Sequence, residues 1–267
     1  ISGNGLYKFD NGNLTQYLDS NLQGVGPYEI APDGTVWMHV YKQTIYYQTI
    51  VKSGDTISID TISGALARVK HGEMTVYDDF IPDLEFNKIN TMAVDRSNNV
   101  WMSCGILTNS NVFHPHGLIK FDGLSCVIYD PKLSGLPTKK IGKIVVDCLN
   151  RVWLLCAYYE AGNQVVNFDG KNWKIFDDPD EIIYSGITAL KTDSKGNAWL
   201  GTKEGLYKFS TTSEMQRYNM GNSLIPGDTI QELFIDSNDN IWFLCEKGLV
   251  IFNEDKISHS LIFSTYH

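Results

Sequence analysis

The chain has 267 residues, 43% of them hydrophobic, and a formal net charge of −9. This length and apolar content suffice for a large core in a single repeat domain. The negative charge argues against a nucleic-acid partner, because contact with phosphates requires a basic surface. No stretch of 18 apolar residues occurs, so no membrane span is expected within the chain.

Two short strands are the first predicted elements. They lie within residues 5–17 and begin with the pattern Gly5-Leu6-Tyr7-Lys8-Phe9-Asp10. Because a strand pattern opens the chain, we expect that any leader peptide was removed or never included.

Further along, one short phrase recurs: an apolar run, a polar turn that begins with Asp, an aliphatic residue and a tryptophan. Full copies occupy residues 92–101, 144–153, 190–199 and 233–242, and a degenerate copy occupies residues 30–37. The Gly-Leu pattern returns after the tryptophans, at Gly117, Gly205 and Gly248. A repeat of roughly 45 residues built from short strands is typical of a β-propeller.

Turn chemistry divides each repeat into four predicted strands, A to D. Strand A is the apolar run, strand B carries the tryptophan, strand C starts at the Gly-Leu pair, and strand D carries a closing aromatic residue. Between A and B, Asp accepts hydrogen bonds from the backbone, and Asn or Gly adopts the left-handed conformation of a tight hairpin. A large flat side chain on an inner strand fills the space between blades, so the repeat tryptophans are expected in the core.

These elements predict one all-β domain, a β-propeller of four-stranded antiparallel blades over residues 1–267. Its parts are a partial blade at residues 1–20 and repeat units at about 27–80, 89–130, 142–177, 187–219 and 230–267. The predicted strands number roughly 22, two fewer than six complete blades would hold. Six blades are favoured, and five or seven remain open.

Residues 190–206 resemble the repeat of the two-component regulator propeller family. That family occurs in extracytoplasmic sensor regions of bacterial hybrid histidine kinases and in stand-alone secreted propellers. The resemblance implies a periplasmic or cell-surface location and a role in sensing or recognition. The chain departs from a complete sensor because it has no kinase motifs, so it is expected to be an excised sensor segment or a lone propeller.

The five cysteines are an odd number and do not predict a disulfide framework. Cys104, Cys156 and Cys245 each follow a repeat tryptophan by three residues, so they should be buried and unpaired at equivalent positions. Cys126 and Cys148 fall beside turns and are expected to be free thiols. No pair has the spacing of zinc ligands.

The predicted binding face lies where the D-to-A and B-to-C loops gather, because these loops vary while the A-to-B turns are alike. Aromatic faces, amides and single charges there would suit a polar, ring-shaped ligand such as a carbohydrate. The candidates from loops entering strand A are Tyr28, Asn90, Lys140, Tyr184 and Asp228, and those from B-to-C loops are His116 and Tyr159. The longest B-to-C connection, residues 41–63, is expected to form an extra hairpin.

Other polar clusters have structural explanations. His114 and His116 could reach one metal, but no third ligand is identifiable, so neither a metal nor a cofactor is expected. The turn at Asp236 lacks the Gly and the final acid of a calcium loop. The lysines near residue 140 are interpreted as a solvated loop.

The sequence contains no local enzyme motif. The leading hypothesis is therefore a non-catalytic propeller that binds a carbohydrate-like ligand or a protein partner. One alternative is a propeller lyase similar to streptogramin lyases, with His114 or His116 as its base. The other is a purely structural protein–protein interaction scaffold.

Overall fold

The computed structural model describes residues 7–10, 13–16, 22–49, 56–77, 88–107, 113–158, 162–176, 186–212, 214–253 and 260–263. In this part of the chain there are 22 strands and one short helix. The strands form five four-stranded antiparallel sheets and one two-stranded sheet. The chain divides into two compact units, residues 1–139 and 140–267.

The first unit contains ten strands and the helix. Strands β1 and β2 pair with each other, and two four-stranded sheets follow. The bounds are β1 Tyr7–Asp10, β2 Asn13–Gln16, β3 Leu22–Ile30, β4 Val36–Thr49, β5 Thr56–Lys70, β6 Glu73–Tyr77, β7 Lys88–Val94, β8 Val100–Leu107, β9 Phe113–Phe121, β10 Cys126–Tyr129 and α1 Pro131–Ser134.

The second unit contains three four-stranded sheets. The bounds are β11 Ile141–Val146, β12 Val152–Tyr158, β13 Gly162–Phe168, β14 Trp173–Phe176, β15 Ala189–Thr192, β16 Ala198–Thr202, β17 Gly205–Phe209, β18 Met215–Tyr218, β19 Glu232–Ile235, β20 Ile241–Cys245, β21 Gly248–Phe252 and β22 Ser260–Phe263.

Each four-stranded sheet is a meander in which every strand pairs with the next one along the chain. We number these sheets blades 1 to 5: β3–β6, β7–β10, β11–β14, β15–β18 and β19–β22. This is the four-stranded blade expected from the repeats. A sixth blade remains a prediction, because the described residues contribute only the two strands β1 and β2 beyond the five complete sheets.

The repeat tryptophans pack as the sequence predicts in blades 1 to 4, where Trp37, Trp101, Trp153 and Trp199 are buried. Trp199 stacks on the strand D residue Tyr218 of its own blade, with ring centroids 5.8 Å apart. Phe252, on strand C of the next blade, meets the same indole edge-on at 6.2 Å. Aromatic rings therefore connect blade 4 with blade 5 inside the second unit.

Trp242 is an exception to this pattern. It occupies the equivalent place on β20 but is only partly buried, so the expectation of full burial is wrong for this residue. In the other blades a strand D ring stacks on the indole, as Tyr218 does on Trp199. Among the described residues no such ring contact is found for Trp242.

The Gly of the repeated Gly-Leu pair on strand C is required because the backbone of strand D comes too close for a side chain. Gly205 has φ of +128°, and a Cβ there would lie 2.4 Å from the carbonyl oxygen of Tyr218. The same contact recurs between Gly117 and Tyr129. The repeated Gly-Leu pair is therefore a requirement of strand packing.

The long connection in blade 1 forms the expected extra hairpin. Strands β4 and β5 stay paired out to Thr49 and Thr56. The side chains of residues 41–63 lie outside the described part of the chain. None of the helices described for this chain has the length and apolar character that crossing a lipid bilayer requires.

Candidate functional site

At one end of the blades, the A-to-B turns are built around an aspartate. In blade 4, Asp193 Oδ1 accepts hydrogen bonds from the backbone N–H groups of Lys195 and Asn197. Its Oδ2 accepts from the Asn197 side chain and, at 2.9 Å, from Trp199 Nε1.

The same bond to the tryptophan six residues later is made by Asp95, Asp147 and Asp236. Bonds from Trp242 and Asn240 lower the pKa of Asp236 to about 2.

Blade 1 lacks this bond because its turn has Ala31 where the others have the aspartate. The Ala31 N–H donates to Thr35 O, as the Asp95 N–H donates to Asn99 O. Trp37 therefore stands six residues after Ala31, and its buried Nε1 finds no acceptor among the described residues. Asp33 lies two positions further on and instead pairs with Lys70 at 3.0 Å.

Neighbouring turns within each unit are also joined. Arg151 Nη2 donates to Gly196 O at 2.9 Å, and the Ser194 N–H donates to Asp239 Oδ1 at 2.8 Å. In the first unit, Asn98 Nδ2 donates to Asp33 Oδ2. Many polar groups at this end of the blades are thus committed to holding the scaffold.

At the opposite end, two loops that enter strand A share one backbone design. We call them loop 130–139 and loop 219–228. The first residue accepts the N–H two positions on: Asp130 Oδ1 from Lys132, and Asn219 Oδ1 from Gly221, each at 2.9 Å. A serine hydroxyl four positions on donates back to the carbonyl of the first residue in both loops. Both loops then bury an aliphatic residue, Leu136 or Ile225.

The two loops carry opposite charge at their last position. Lys139 forms an ion pair with Asp130, and this contact, with the Lys132 N–H, lowers the pKa of Asp130. Asp228 stands at the equivalent place in the other loop and accepts the Met220 N–H at 2.7 Å. One backbone design therefore presents either a cation or an anion next to strand A.

A repeated motif in the sequence marks these loops, and the sequence interpretation missed it. Ser134-Gly135-Leu136-Pro137 and Ser223-Leu224-Ile225-Pro226 stand at the same distance before the turn aspartate of their repeats. Serine, an aliphatic residue and proline in fixed spacing were the signal that could have identified them.

The B-to-C turns of blades 4 and 5 adjoin loop 219–228. Arg217 donates to the Glu204 backbone carbonyl at 2.6 Å and lies 3.5 Å from its carboxylate. A Cβ on Gly227 would lie 2.7 Å from Glu246 Oε1, so that carboxylate covers the loop beside Asp228. Met220 and Leu224 project from the same loop into solvent. Apolar, acidic and basic groups are thus gathered on one surface of the second unit.

Some of the predicted site residues lie in the loops where they were expected, and others lie in strands or outside the described residues. Asp228 lies in a loop entering strand A, as predicted, and Lys140 directly precedes β11. Tyr159 and Tyr184 lie outside the described residues.

Tyr28 was expected in a loop, but it lies within β3, where it pairs with Met38. Asp33 is the aspartate of the degenerate copy at residues 30–37, but backbone pairing makes Ala31, two residues earlier, the equivalent of Asp95. Tyr28 therefore takes the position of Met92, although it is exposed while Met92 is buried.

Asn90 and His116 also lie in strands, which corrects their expected positions in loops. Asn90 lies at a register shift between β7 and β8. His116 lies at a register shift between β8 and β9. These irregularities place both residues near one end of blade 2.

Among the described residues, no group of three or more His, Cys, Asp or Glu side chains is placed to hold a metal ion. His114 and His116 both lie in β9.

The cysteines agree with the sequence interpretation. Cys104, Cys156 and Cys245 are buried and free, and Cys126 and Cys148 are also free thiols. Burial raises the pKa of Cys104 and of Cys156 to about 12. Burial also raises the pKa of the Cys245 thiol.

Comparison with solved structures identifies the fold. The chain is similar to the extracellular domain of a putative hybrid two-component system from B. thetaiotaomicron, at 17% identity and a TM-score of 0.50, over 95% of this chain and 36% of that one. It is also similar to a gluconolactonase from Xanthomonas campestris, at 11% identity and a TM-score of 0.51, over 90% and 75%. A virginiamycin B lyase from Staphylococcus aureus matches at 10% identity and a TM-score of 0.48, over 91% and 84%.

The matches to the sensor domain and to the gluconolactonase confirm the all-β propeller fold of four-stranded blades. The sensor-domain match also confirms, at the level of the fold, the resemblance to sensor propellers. The chain spans about a third of the length of the sensor domain. No protein-family model matches the chain, and no curated protein does. Because the fold also occurs in an enzyme, it leaves the function open.

Proposed function

We propose that this chain is a non-catalytic recognition propeller that binds a carbohydrate-like ligand on the face bearing the D-to-A and B-to-C loops. In this proposal it acts outside the cytoplasm, as part of a two-component-type sensor. The location and system are suggested by the sensor domain to which it is similar.

One observation carries the proposal: loops 130–139 and 219–228 keep the same backbone hydrogen bonds while their last side chain changes from Lys139 to Asp228. Residues needed only for the scaffold would repeat, as the aspartates of the A-to-B turns do. Variation of charge on a fixed backbone is typical of a surface that has been adapted to a ligand.

The chemistry around Asp228 suits a polar ring-shaped ligand. Asp228 and Glu246 are hydrogen-bond acceptors for hydroxyl groups, and the exposed Met220 and Leu224 side chains offer apolar contact. The loop is held by its own hydrogen bonds, so binding would cost little ordering of the backbone. Tyr28, Asn90, His116, Lys140, Tyr159 and Tyr184 remain proposed ligand contacts.

The test begins with a thermal-shift screen against neutral, acidic and basic oligosaccharides. A specific ligand raises the melting temperature in proportion to the logarithm of its concentration over its dissociation constant. Asp228→Asn is the first variant, since an amide oxygen can still accept the Met220 N–H while the charge is lost. Lys195→Ala, on an A-to-B turn, is the control.

We expect the ligand to bind at least about tenfold more weakly to Asp228→Asn, equivalent to about 1.4 kcal/mol, and normally to Lys195→Ala. Equal losses in both variants, or a loss only in Lys195→Ala, would place the site at the other end of the blades. If no oligosaccharide in the screen stabilises the protein, the carbohydrate proposal is wrong. Turnover of a lactone or streptogramin by the same sample would instead favour an enzyme.

A further inference from the structure

Exposed apolar side chains are concentrated on the outermost strand of blade 2. Of the twelve large hydrophobic residues exposed in the described part of the chain, four fall within residues 124–133. Leu124 is 96% exposed, Val127 51% and Ile128 40%, and Leu133 follows on α1. Three of these four therefore lie on β10 or in the turn that leads into it.

The free edge of β10 can be derived from its pairing. The Asp122 N–H donates to Ser125 O and closes the hairpin. Because hydrogen-bonded pairs alternate in an antiparallel ladder, Val127 and Tyr129 direct their backbone groups toward β9. Cys126 and Ile128 consequently direct their N–H and C=O groups away from the sheet, where no further strand pairs with β10 among the described residues.

Where β10 has Val127, the outer strands of blades 1, 3 and 4 carry a polar or charged side chain. The position of Val127 is taken by Lys174 in β14, by Gln216 in β18 and by Thr75 in β6. Polar and charged side chains on an edge strand discourage further pairing. Strand β10 has the sequence Cys-Val-Ile-Tyr, with no charge and high β-propensity. Its edge is thus open to another strand.

We propose that β10 is a self-association edge, to which β10 of a second copy of this chain adds antiparallel, with the two Val127 residues opposite each other. In this register Cys126 of each copy faces Ile128 of the other. The outward N–H and C=O groups of both residues then form hydrogen bonds between the two copies. The interface closes with two copies because it is self-complementary.

The flanking residues favour the same arrangement. Antiparallel pairing brings the Leu124 end of one strand toward the Leu133 end of the other, so the exposed apolar side chains meet. It also brings Asp122 toward the end that carries Lys132, so the nearby charges are opposite. An edge of four residues buries little surface, so we expect a weak, transient dimer.

Cysteine cross-linking tests the register. In a non-hydrogen-bonded antiparallel pair the Cα atoms are about 4.5 Å apart, within the range a disulfide spans. Val127→Cys, with Cys126 and Cys148 replaced by Ser, should form a disulfide-linked dimer at least about tenfold faster than Lys174→Cys in the same background. Equal rates for the two variants would overturn the proposal.

Sedimentation and hydrogen exchange provide readouts that need no added cysteine. The unmodified chain should sediment with a concentration-dependent increase in mass, and Val127→Lys should remain monomeric with an unchanged melting temperature. Exchange at the Cys126 and Ile128 amides should slow with concentration, while exchange in β14 should not. A chain that stays monomeric at several hundred micromolar, or an increase in mass that survives Val127→Lys, contradicts the proposed edge.

Discussion

The indole Nε1 of Trp199 donates a buried hydrogen bond of 2.9 Å to Oδ2 of Asp193. This bond joins the polar turn between strands A and B to the core between blades, because the same ring packs on Tyr218 and Phe252. A turn and a core residue thus depend on each other in blades 2, 3 and 4, where the tryptophan bonded to the aspartate is buried.

Truncating Trp199 should destabilise the protein strongly. Trp199→Ala is expected to lower the free energy of unfolding by about 3 to 5 kcal/mol, as other large-to-small core changes do. Chemical denaturation checks this value. Trp173→Ala is the control: Trp173 stacks on Phe168 at 4.0 Å but is only partly buried, so a smaller loss is expected. A loss as large as that of Trp199→Ala would show that the repeat position has no special role.

Ala31→Asp should stabilise blade 1 by giving Trp37 Nε1 the acceptor that its counterparts have. We expect a gain of about 1 kcal/mol, the usual net value of an added hydrogen bond to a buried donor. The gain should disappear when Trp37 is replaced by Phe, which has no donor, so a double-mutant cycle isolates the bond. If the two changes are additive, no such bond forms.

The core thiols should react slowly. Burial raises the pKa of Cys104 and Cys156 to about 12, so the reactive thiolate is scarce at neutral pH. Cys126 and Cys148, which are less buried, should be alkylated first, and the three core cysteines only after denaturant is added. Mass spectrometry of the labelled peptides measures the order. A disulfide between any two core cysteines would disprove the strand equivalence.

Mild acid should destabilise the first unit through His39. Its ring is fully buried against Gly26, and desolvation, with a smaller effect of Lys88, lowers its pKa from 6.5 to about 4. As the pH falls from 6.5 toward 4, the unfolded chain gains a proton that the folded chain does not. The free energy of unfolding should therefore fall over this window, by up to about 3 kcal/mol. His39→Leu should remove most of this slope, and an unchanged slope would contradict the assignment.

Alanine should be far less tolerated at Gly205 than at Gly34. Both glycines have positive φ, but a Cβ on Gly205 would collide with Tyr218 O, whereas nothing lies within 4 Å at Gly34. Gly34→Ala should cost about 1 to 2 kcal/mol from backbone conformation alone, and Gly205→Ala clearly more. Melting temperatures of the two variants decide the matter, and similar values would mean that strand D moves aside easily.

Local sequence patterns were enough to predict the strands, the turns and most of the core, although not the partial exposure of Trp242. Residues close together in the chain encode the apolar alternation, the Asp-led turns and the repeated Trp and Cys positions. These features could therefore be predicted from one repeat and checked against the next. The extra hairpin at residues 41–63 followed from the same local alternation.

Contacts between distant parts of the chain were needed to show which residues are equivalent and which side chains stand at matching places in the loops. Ala31, rather than Asp33, occupies the place of Asp95 because backbone pairing, not side-chain identity, sets the register. That shift moved Tyr28 from a loop into β3, and register shifts likewise moved Asn90 and His116 into strands. Lys139 and Asp228 could be recognised as equivalent positions of opposite charge only because hydrogen bonds show that their loops share one backbone design. Such relationships arise from contacts between residues far apart in the chain, and local pattern carries little information about them.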